Sequence, residues 1–278
     1  PHPLGARARR RWHPAAGLTV PGTRWLLEEK LGEGGFGEVW LARHQQLKEP
    51  RVFKFCLRED RVRALKREMT LFRVWRARVG DHPHLVKLLG VNFDQPPFYL
   101  EEEYVSGRDL RTWCDAQGGI PHVPVDVRLE LMAQAAEGLA AVHEVGIIHR
   151  DIKPGNILIS CWKPADATAA TAAGDRMSEL GDAANNGRFP EGDPRLPTAK
   201  LADFGIGNVA SEEVLTGITS TGLTTTHGTR TSSAPGTHAY LAPEVLMGHP
   251  ATVQSDVYAI GVVLYQLLVE DFAQPVTT

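Results

Sequence analysis

The chain has 278 residues, 42% hydrophobic and 23% charged, enough for a sizeable core and for one or two domains. A formal net charge of -3 and a pI near 6.5 supply no global field that would draw nucleic acid or an anionic membrane. Cys56, Cys114 and Cys161 are far apart and form no CxxC pair, which argues against a zinc site or disulfide framework and fits a reducing compartment.

Residues 1–23 are rich in Pro, Arg and Ala without periodicity and are expected to form a disordered lead-in. The cluster Arg7–Arg11 has no apolar stretch after it, so it reads as a solvated tail rather than a signal peptide. The first residue is not Met, so a fragment or processed form is expected. Strand patterns follow at Trp25–Leu31, Gly37–His44 and Arg51–Leu57. Arg61–Arg78 carries Val62, Leu65, Met69, Phe72 and Trp75 at helical spacing. Two further strands fit Leu85–Asn92 and Phe98–Tyr104.

Gly107 opens a mainly helical half. Val127–Val145 places Leu129, Met132, Ala136, Leu139 and Val142 on one face of a helix. Ile157–Ser160 and Ala199–Ala202 are short strands, separated by an aperiodic stretch that reads as a flexible insertion over 161–198. Ser211–Ser233 is a second polar stretch, and Ala251–Val269 is a strong helix. The latter's apolar run, Val257–Val269, is too short to cross a bilayer, and no transmembrane segment is expected. A β-rich half followed by a helical half fits a two-lobed α+β architecture.

Several short motifs carry chemistry. Gly32-Glu33-Gly34-Gly35-Phe36-Gly37-Glu38-Val39 fits G-x-G-x-x-G-x-V. Its glycines let a hairpin backbone approach phosphate oxygens, and Phe36 can close over the tip. A dinucleotide-binding motif would need a helix after the last glycine, whereas a strand pattern follows here. Lys54 stands in the third strand pattern. His149-Arg150-Asp151-Ile152-Lys153-Pro154-Gly155-Asn156 places Asp and Asn five apart, with a Lys two after the Asp. Asp203-Phe204-Gly205 follows Lys200-Leu201-Ala202, and its carboxylate is a hard oxygen ligand of the kind Mg²⁺ demands. The series continues with Gly236–Glu244, ending in Ala-Pro-Glu, and with Asp256 in Ser255-Asp256-Val257-Tyr258.

Together these motifs resemble the bacterial, eukaryotic-like (Hanks-type) serine/threonine protein kinase catalytic domain over roughly residues 24–272. The resemblance implies a β-rich N-lobe over 24–105 and a partial helical C-lobe over 106–278, with an activation segment at 203–244. It implies ATP and Mg²⁺, with Mn²⁺ as the alternative, and transfer of the γ-phosphoryl to protein Ser/Thr hydroxyls. Asp151 would take the hydroxyl proton, Lys153 would steady the γ-phosphate, and Asn156 and Asp203 would hold the metal. Lys54 would contact the α/β-phosphates, held by Glu68 or, alternatively, Glu59. The nucleotide would meet Gly32, Glu33, Gly34, Gly35, Phe36, Gly37, Val39, Val52, Glu103, Asp109 and Leu158. Val52 stands where the family usually has Ala. Thr237 would reach Asp151 and Lys153, which, like Lys153 itself, points to Ser/Thr rather than Tyr substrates, and Asp256 would anchor the catalytic-loop backbone from below.

The same resemblance places Arg150 opposite an activation-loop phosphate, with acceptors such as Thr216, Thr224, Thr225, Thr226, Thr229, Thr231 and Ser232. Autophosphorylation in trans within a dimer is expected. So is a cytoplasmic location, with membrane anchoring through a longer protein as the alternative. Two departures stand out. Glu102 occupies the gatekeeper position, where it would be protonated, pair with Lys54 or swing out, unless the alignment is off by one residue. The chain also stops at Thr278, so Glu244 is expected to lack its Arg partner and the C-lobe to be incomplete. The rival function is a pseudokinase or inactive fragment that binds nucleotide or protein.

Overall fold

The protein is described by a computed structural model over residues 12–33, 37–57, 75–160, 197–203 and 237–276, with Trp75, Arg76, Thr237 and His238 described by backbone alone. The described residues fall into two compact units. One holds residues 12–57 with Leu88–Tyr104, and the other holds 75–87 with the chain from Val105 onward.

The first unit is a five-stranded antiparallel sheet built from β1 (Trp25–Glu33), β2 (Glu38–His44), β3 (Pro50–Cys56), β4 (Leu88–Asn92) and β5 (Phe98–Glu103). The strand order is β1-β2-β3-β5-β4. Side chains alternate between faces along each strand. Register therefore sorts the unit into two sides: Phe53 lies opposite Trp40 and Glu101, while Lys54 lies opposite Val39 and Leu100. The first side is aromatic and dry, with Trp25, Leu27, Trp40, Phe53, Phe55 and Tyr99 in one core.

Residues 12–23, expected to be disordered, are part of that core. Val20 is fully buried, and the Trp12 ring lies 5.1 Å from Phe55. The backbone is tied down as well. Gly17 N donates to Leu27 O at 2.8 Å, Leu27 N to Leu18 O at 2.9 Å, and Val20 N to Trp25 O at 2.8 Å. Composition suggested disorder, but the sheet's aromatic face supplies enough apolar surface to order the segment. Residues 1–11 lie outside the described residues.

The second unit carries a three-stranded sheet of β6 (Gly107–Asp109), β7 (Ile157–Ser160) and β8 (Thr198–Leu201). Gly107 thus opens a strand before the helices begin. A Cβ there would lie 1.8 Å from Ile159 O, so only glycine permits this strand approach. The expected strand from Leu85 regularises only at Leu88. Leu85 instead bridges Leu201, and Val86 N donates to Leu201 O at 2.8 Å. The main helices are α1 (Leu110–Ala116), α2 (Val125–Glu144) and α4 (Val253–Leu268), with the single turn α3 (Pro243–Leu246). Trp75–Val79 is helical; the rest of the expected Arg61–Arg78 helix lies largely outside the described residues.

Helix α2 buries Val127, Leu131, Met132, Ala135, Leu139 and Val142. Leu129 and Ala136, expected on that face, are exposed. Each sits one residue, and so about 100°, away from the buried i, i+3, i+4, i+7 stripe. Arg128 lies within the stripe and is 3% exposed. Its guanidinium donates to Val123 O at 2.7 Å, to Leu267 O at the end of α4 at 2.7 Å, and to Glu270 Oε1 at 2.9 Å. It thereby caps α4 from another helix. At the other end of α4, Thr252 and Ser255 form a reciprocal capping box. Ser255 Oγ also donates to Glu244 Oε1 at 3.0 Å, which gives the Glu244 carboxylate a hydroxyl partner.

Two outcomes follow for stability. Trp12→Ala is expected to lower stability by about 2 kcal/mol, by loss of aromatic packing at a half-buried site. Arg128→Met, which leaves two carbonyls without their donor, should cost about 2–4 kcal/mol. Urea titration of each variant against the parent checks both.

Candidate active site

The site in the second unit begins with a buried carboxylate. Asp256, in the first turn of α4, is 1% exposed. Its Oδ2 accepts from His149 N at 2.7 Å, its Oδ1 accepts from Arg150 N at 2.8 Å, and His143 Nε2 lies 2.9 Å from Oδ2. Arg150 has a left-handed backbone, φ 69°. A side chain other than glycine held there costs about 1–3 kcal/mol, which the two charge-assisted bonds to Asp256 offset.

His149 is fully buried and ties this segment to the end of β8, its Nε2 lying 3.0 Å from Ala202 O. Its Nδ1 accepts from Asp151 N at 3.4 Å. Nε2 must then carry the proton and donate to Ala202 O. Burial pushes this imidazole below its ordinary pKa of 6.5, against the raising influence of the Asp256 and Asp151 charges.

This frame presents Asp151, Lys153 and Asn156 to one another. Lys153 Nζ donates to Asp151 Oδ2 at 2.7 Å. Asn156, 4% exposed, donates through Nδ2 to Asp151 O at 2.6 Å and to Asp151 Oδ2 at 2.9 Å. Ala202 N donates to Asn156 O at 2.8 Å, which ties the residue before Asp203 to the same loop. Asp203 is exposed, with φ 58°. The donor set fits Mg²⁺ or Mn²⁺. Asn156 commits its amide nitrogen to Asp151, so its amide oxygen would be the hard ligand, and Asp203 would add a carboxylate. Among the described residues no cluster of three or more His, Cys, Asp or Glu could hold a metal by itself.

Asp109 and Leu158 are cross-strand partners in β6 and β7. Asp109 also caps α1, accepting from Thr112 N at 3.1 Å and from Thr112 Oγ1 at 2.6 Å. This structural duty was not foreseen. A groove is lined by Arg150, Asp151, Ile152, Tyr240, Leu241 and Val245, so the segment ending in Ala-Pro-Glu meets the Asp151 loop. Thr237 opens the helical turn that leads into this segment. Cys114 is inert, since burial pushes its thiol up to about 12.

In the first unit, Val39, Val52, Lys54 and Glu102 share one face of the sheet. Gly32 and Glu33 pair with Val39 and Glu38, so the glycine motif spans a hairpin and is not followed by a helix. Gly37 has φ 144°, and a Cβ there would lie 2.0 Å from Phe55 O. Glu103 pairs in register with Arg51. Lys54 Nζ lies 2.6 Å from Glu102 Oε2, with side chains 10% and 12% exposed. This is the pairing with Lys54 that is one of the fates expected of Glu102. Removing one partner of so buried a pair typically costs about 3–5 kcal/mol. Gly34, Gly35, Phe36, Glu59, Glu68, the insertion from Cys161 to 196 and the acceptors of Ser211–Ser233 lie outside the described residues.

Sequence reasoning missed His143, the third group on Asp256, and Arg128. A His and an Asp more than a hundred positions apart carry no local signal of contact.

The His149 environment predicts an acid sensitivity. Its folded-state pKa is the lower one, so as pH falls through 6.5 the unfolded chain takes up a proton that the folded chain does not. This contribution is intact above that pH and declines below it. The melting temperature should drop between about pH 7 and pH 5.5, and His149→Gln should flatten that slope while lowering the melting temperature at neutral pH. Scanning calorimetry across that range provides the check.

A family model described as protein kinase domain matches residues 25–275. The chain is 31% identical over 248 residues to the serine/threonine-protein kinase PkaB of Streptomyces coelicolor, covering 89% of this chain and 49% of that protein. It is 30% identical over 250 residues to the serine/threonine-protein kinase PrkC of Bacillus subtilis, covering 88% of this chain and 30% of that protein. It thus spans half or less of the length of these curated relatives. A solved kinase domain of Mycobacterium tuberculosis PknI, a double mutant, aligns with a TM-score of 0.55 at 19% identity over 93% of this chain and 80% of that one, a likeness of fold. With a β-rich sheet before a helical unit and a family match across most of its length, the chain belongs to the protein kinase family, and its relatives include bacterial serine/threonine kinases of the Hanks type.

Proposed function

We propose that this chain moves the γ-phosphoryl group of ATP to the hydroxyl of a protein serine or threonine. The observation that carries the reading is the Asp151 carboxylate, whose Oδ2 meets Lys153 at 2.7 Å and Asn156 at 2.9 Å. A carboxylate held in this way is placed to accept a proton.

In the proposed step, Asp151 takes the proton of the substrate hydroxyl. The hydroxyl oxygen forms a bond to the γ-phosphorus as the bond to the β,γ-bridging oxygen breaks, and ADP departs with that electron pair. Lys153 steadies the γ-phosphate, and its pairing with Asp151 keeps the carboxylate aimed. Lys54 is assigned to the α- and β-phosphates, with Glu68 as its helix-borne partner. Asn156 and Asp203 are the residues that would hold Mg²⁺, which when bound neutralises developing phosphate charge. Val39, Val52, Glu103, Leu158 and the glycine hairpin are assigned to the adenosine and phosphates, and Asp109 to the ribose. Thr237 and the Tyr240–Ala242 stretch are assigned to the acceptor peptide.

The reading extends to autophosphorylation in trans on Ser and Thr of the segment 203–244, with Arg150 as the group that meets the phosphate. Among the described residues no helix is long and apolar enough to cross a membrane. We assign the domain to the cytoplasm, as a catalytic part of a longer protein.

The intact mass of the chain before and after incubation with Mg-ATP tests the proposal. The parent should gain phosphate-sized increments. Asp151→Asn should slow their appearance by at least about a hundredfold with unchanged melting temperature, since general-base catalysis contributes that much or more. Equal incorporation by the variant would sink the assignment of Asp151.

A further inference from the structure

The run Glu101-Glu102-Glu103 on β5 invites an explanation, because three adjacent carboxylates repel one another. Strand alternation separates them. Glu101 pairs with Arg51 on the aromatic side, where the guanidinium also lies 4.5 Å from the Trp25 ring. Glu102 points to the opposite side, the side of Lys54. Glu102 stands directly across from Val52, so Lys54, two residues further along β3, is its diagonal neighbour. The Nζ–Oε2 distance of 2.6 Å is that of a charge-assisted bond.

Both members of this pair come from hydrogen-bonded neighbouring strands. Sheet register therefore makes them diagonal neighbours. An ammonium offers three donors, so engagement by one carboxylate is compatible with engagement by a phosphate oxygen. A buried carboxylate at position 102 is costly without a cation, and Lys54 supplies one.

We propose that Glu102 is a positioning residue for Lys54. Its sheet-borne carboxylate keeps the ammonium aimed at the nucleotide phosphates. The inference rests on the phosphotransfer reading above and deepens it, adding a second acidic holder to the helix-borne one assigned there.

The test is a double-mutant cycle on the full chain, read as Mg-ATP affinity by titration calorimetry and as kcat/KM for Mg-ATP. Glu102→Gln and Glu102→Met should each weaken both by about tenfold, and Glu102→Asp should recover part of the loss. In a Lys54→Met background, Glu102→Met should cause no further loss, because the group it positions is gone. The double variant Lys54→Met/Glu102→Met should melt no lower than either single variant, which separates positioning from a folding defect. Parent-like affinity and kcat/KM in Glu102→Met, or an equal loss in the Lys54→Met background, would overturn the inference while leaving an active kinase. A parent that binds Mg-ATP but takes up no phosphate defeats the phosphotransfer reading alone, and the affinity cycle still decides the role of Glu102. A parent that binds no Mg-ATP overturns both.

Discussion

The second unit depends on one buried carboxylate. Asp256 leaves α4 at a point where the loop carrying Asp151 passes, and it accepts from two consecutive backbone N–H groups there. Without it those donors would be buried and unpaired, and the left-handed Arg150 backbone would have nothing to hold it. The consequences spread outward through hydrogen bonds. His149, fixed at its backbone, reaches Ala202, and Ala202 reaches Asn156. Asp151 thus inherits its position from a residue more than a hundred positions later.

The first unit depends on register instead. An antiparallel sheet with fixed pairing sends alternate residues to opposite sides, and a slip of one residue would exchange them. Phe53 and Phe55 go to the aromatic core, while Val52 and Lys54 go to the other side. The strap of residues 12–20 covers the aromatic side and not the Lys54 side. Its burial of Val20 and its packing of Trp12 on Phe55 secure the register on which the Lys54–Glu102 pair relies.

Electrostatics in both units follow one rule: charges near the interior are paired at short range. Asp151 has Lys153, Glu102 has Lys54, and Arg128 has Glu270 together with two carbonyls. Pairing of this kind adds little net stability beyond what apolar packing would give, but it fixes geometry. The phosphotransfer proposed for this chain would need that geometry, because positioned charge supplies most of such catalysis.

Much of this protein was legible in the chain itself. Asp151, Lys153 and Asn156 lie within one short segment, so their spacing alone brings them together. Strand and helix patterns placed most elements to within a few residues, because alternation and helical period are local properties. Beyond the anchoring of the Asp151 loop by Asp256, which the resemblance implied, contacts between distant segments were decided only by tertiary structure. The sequence left three fates open for Glu102, and the pairing of β3 with β5 selected the one with Lys54. It marked residues 1–23 as disordered by composition, and the aromatic face orders the described part from Trp12 onward. Leu129 and Ala136 are apolar and fit a helical spacing, yet the stripe that α2 buries is set by what packs against it. Local patterns reveal which residues are suited to each role, whereas long-range packing and pairing determine which partner each one meets.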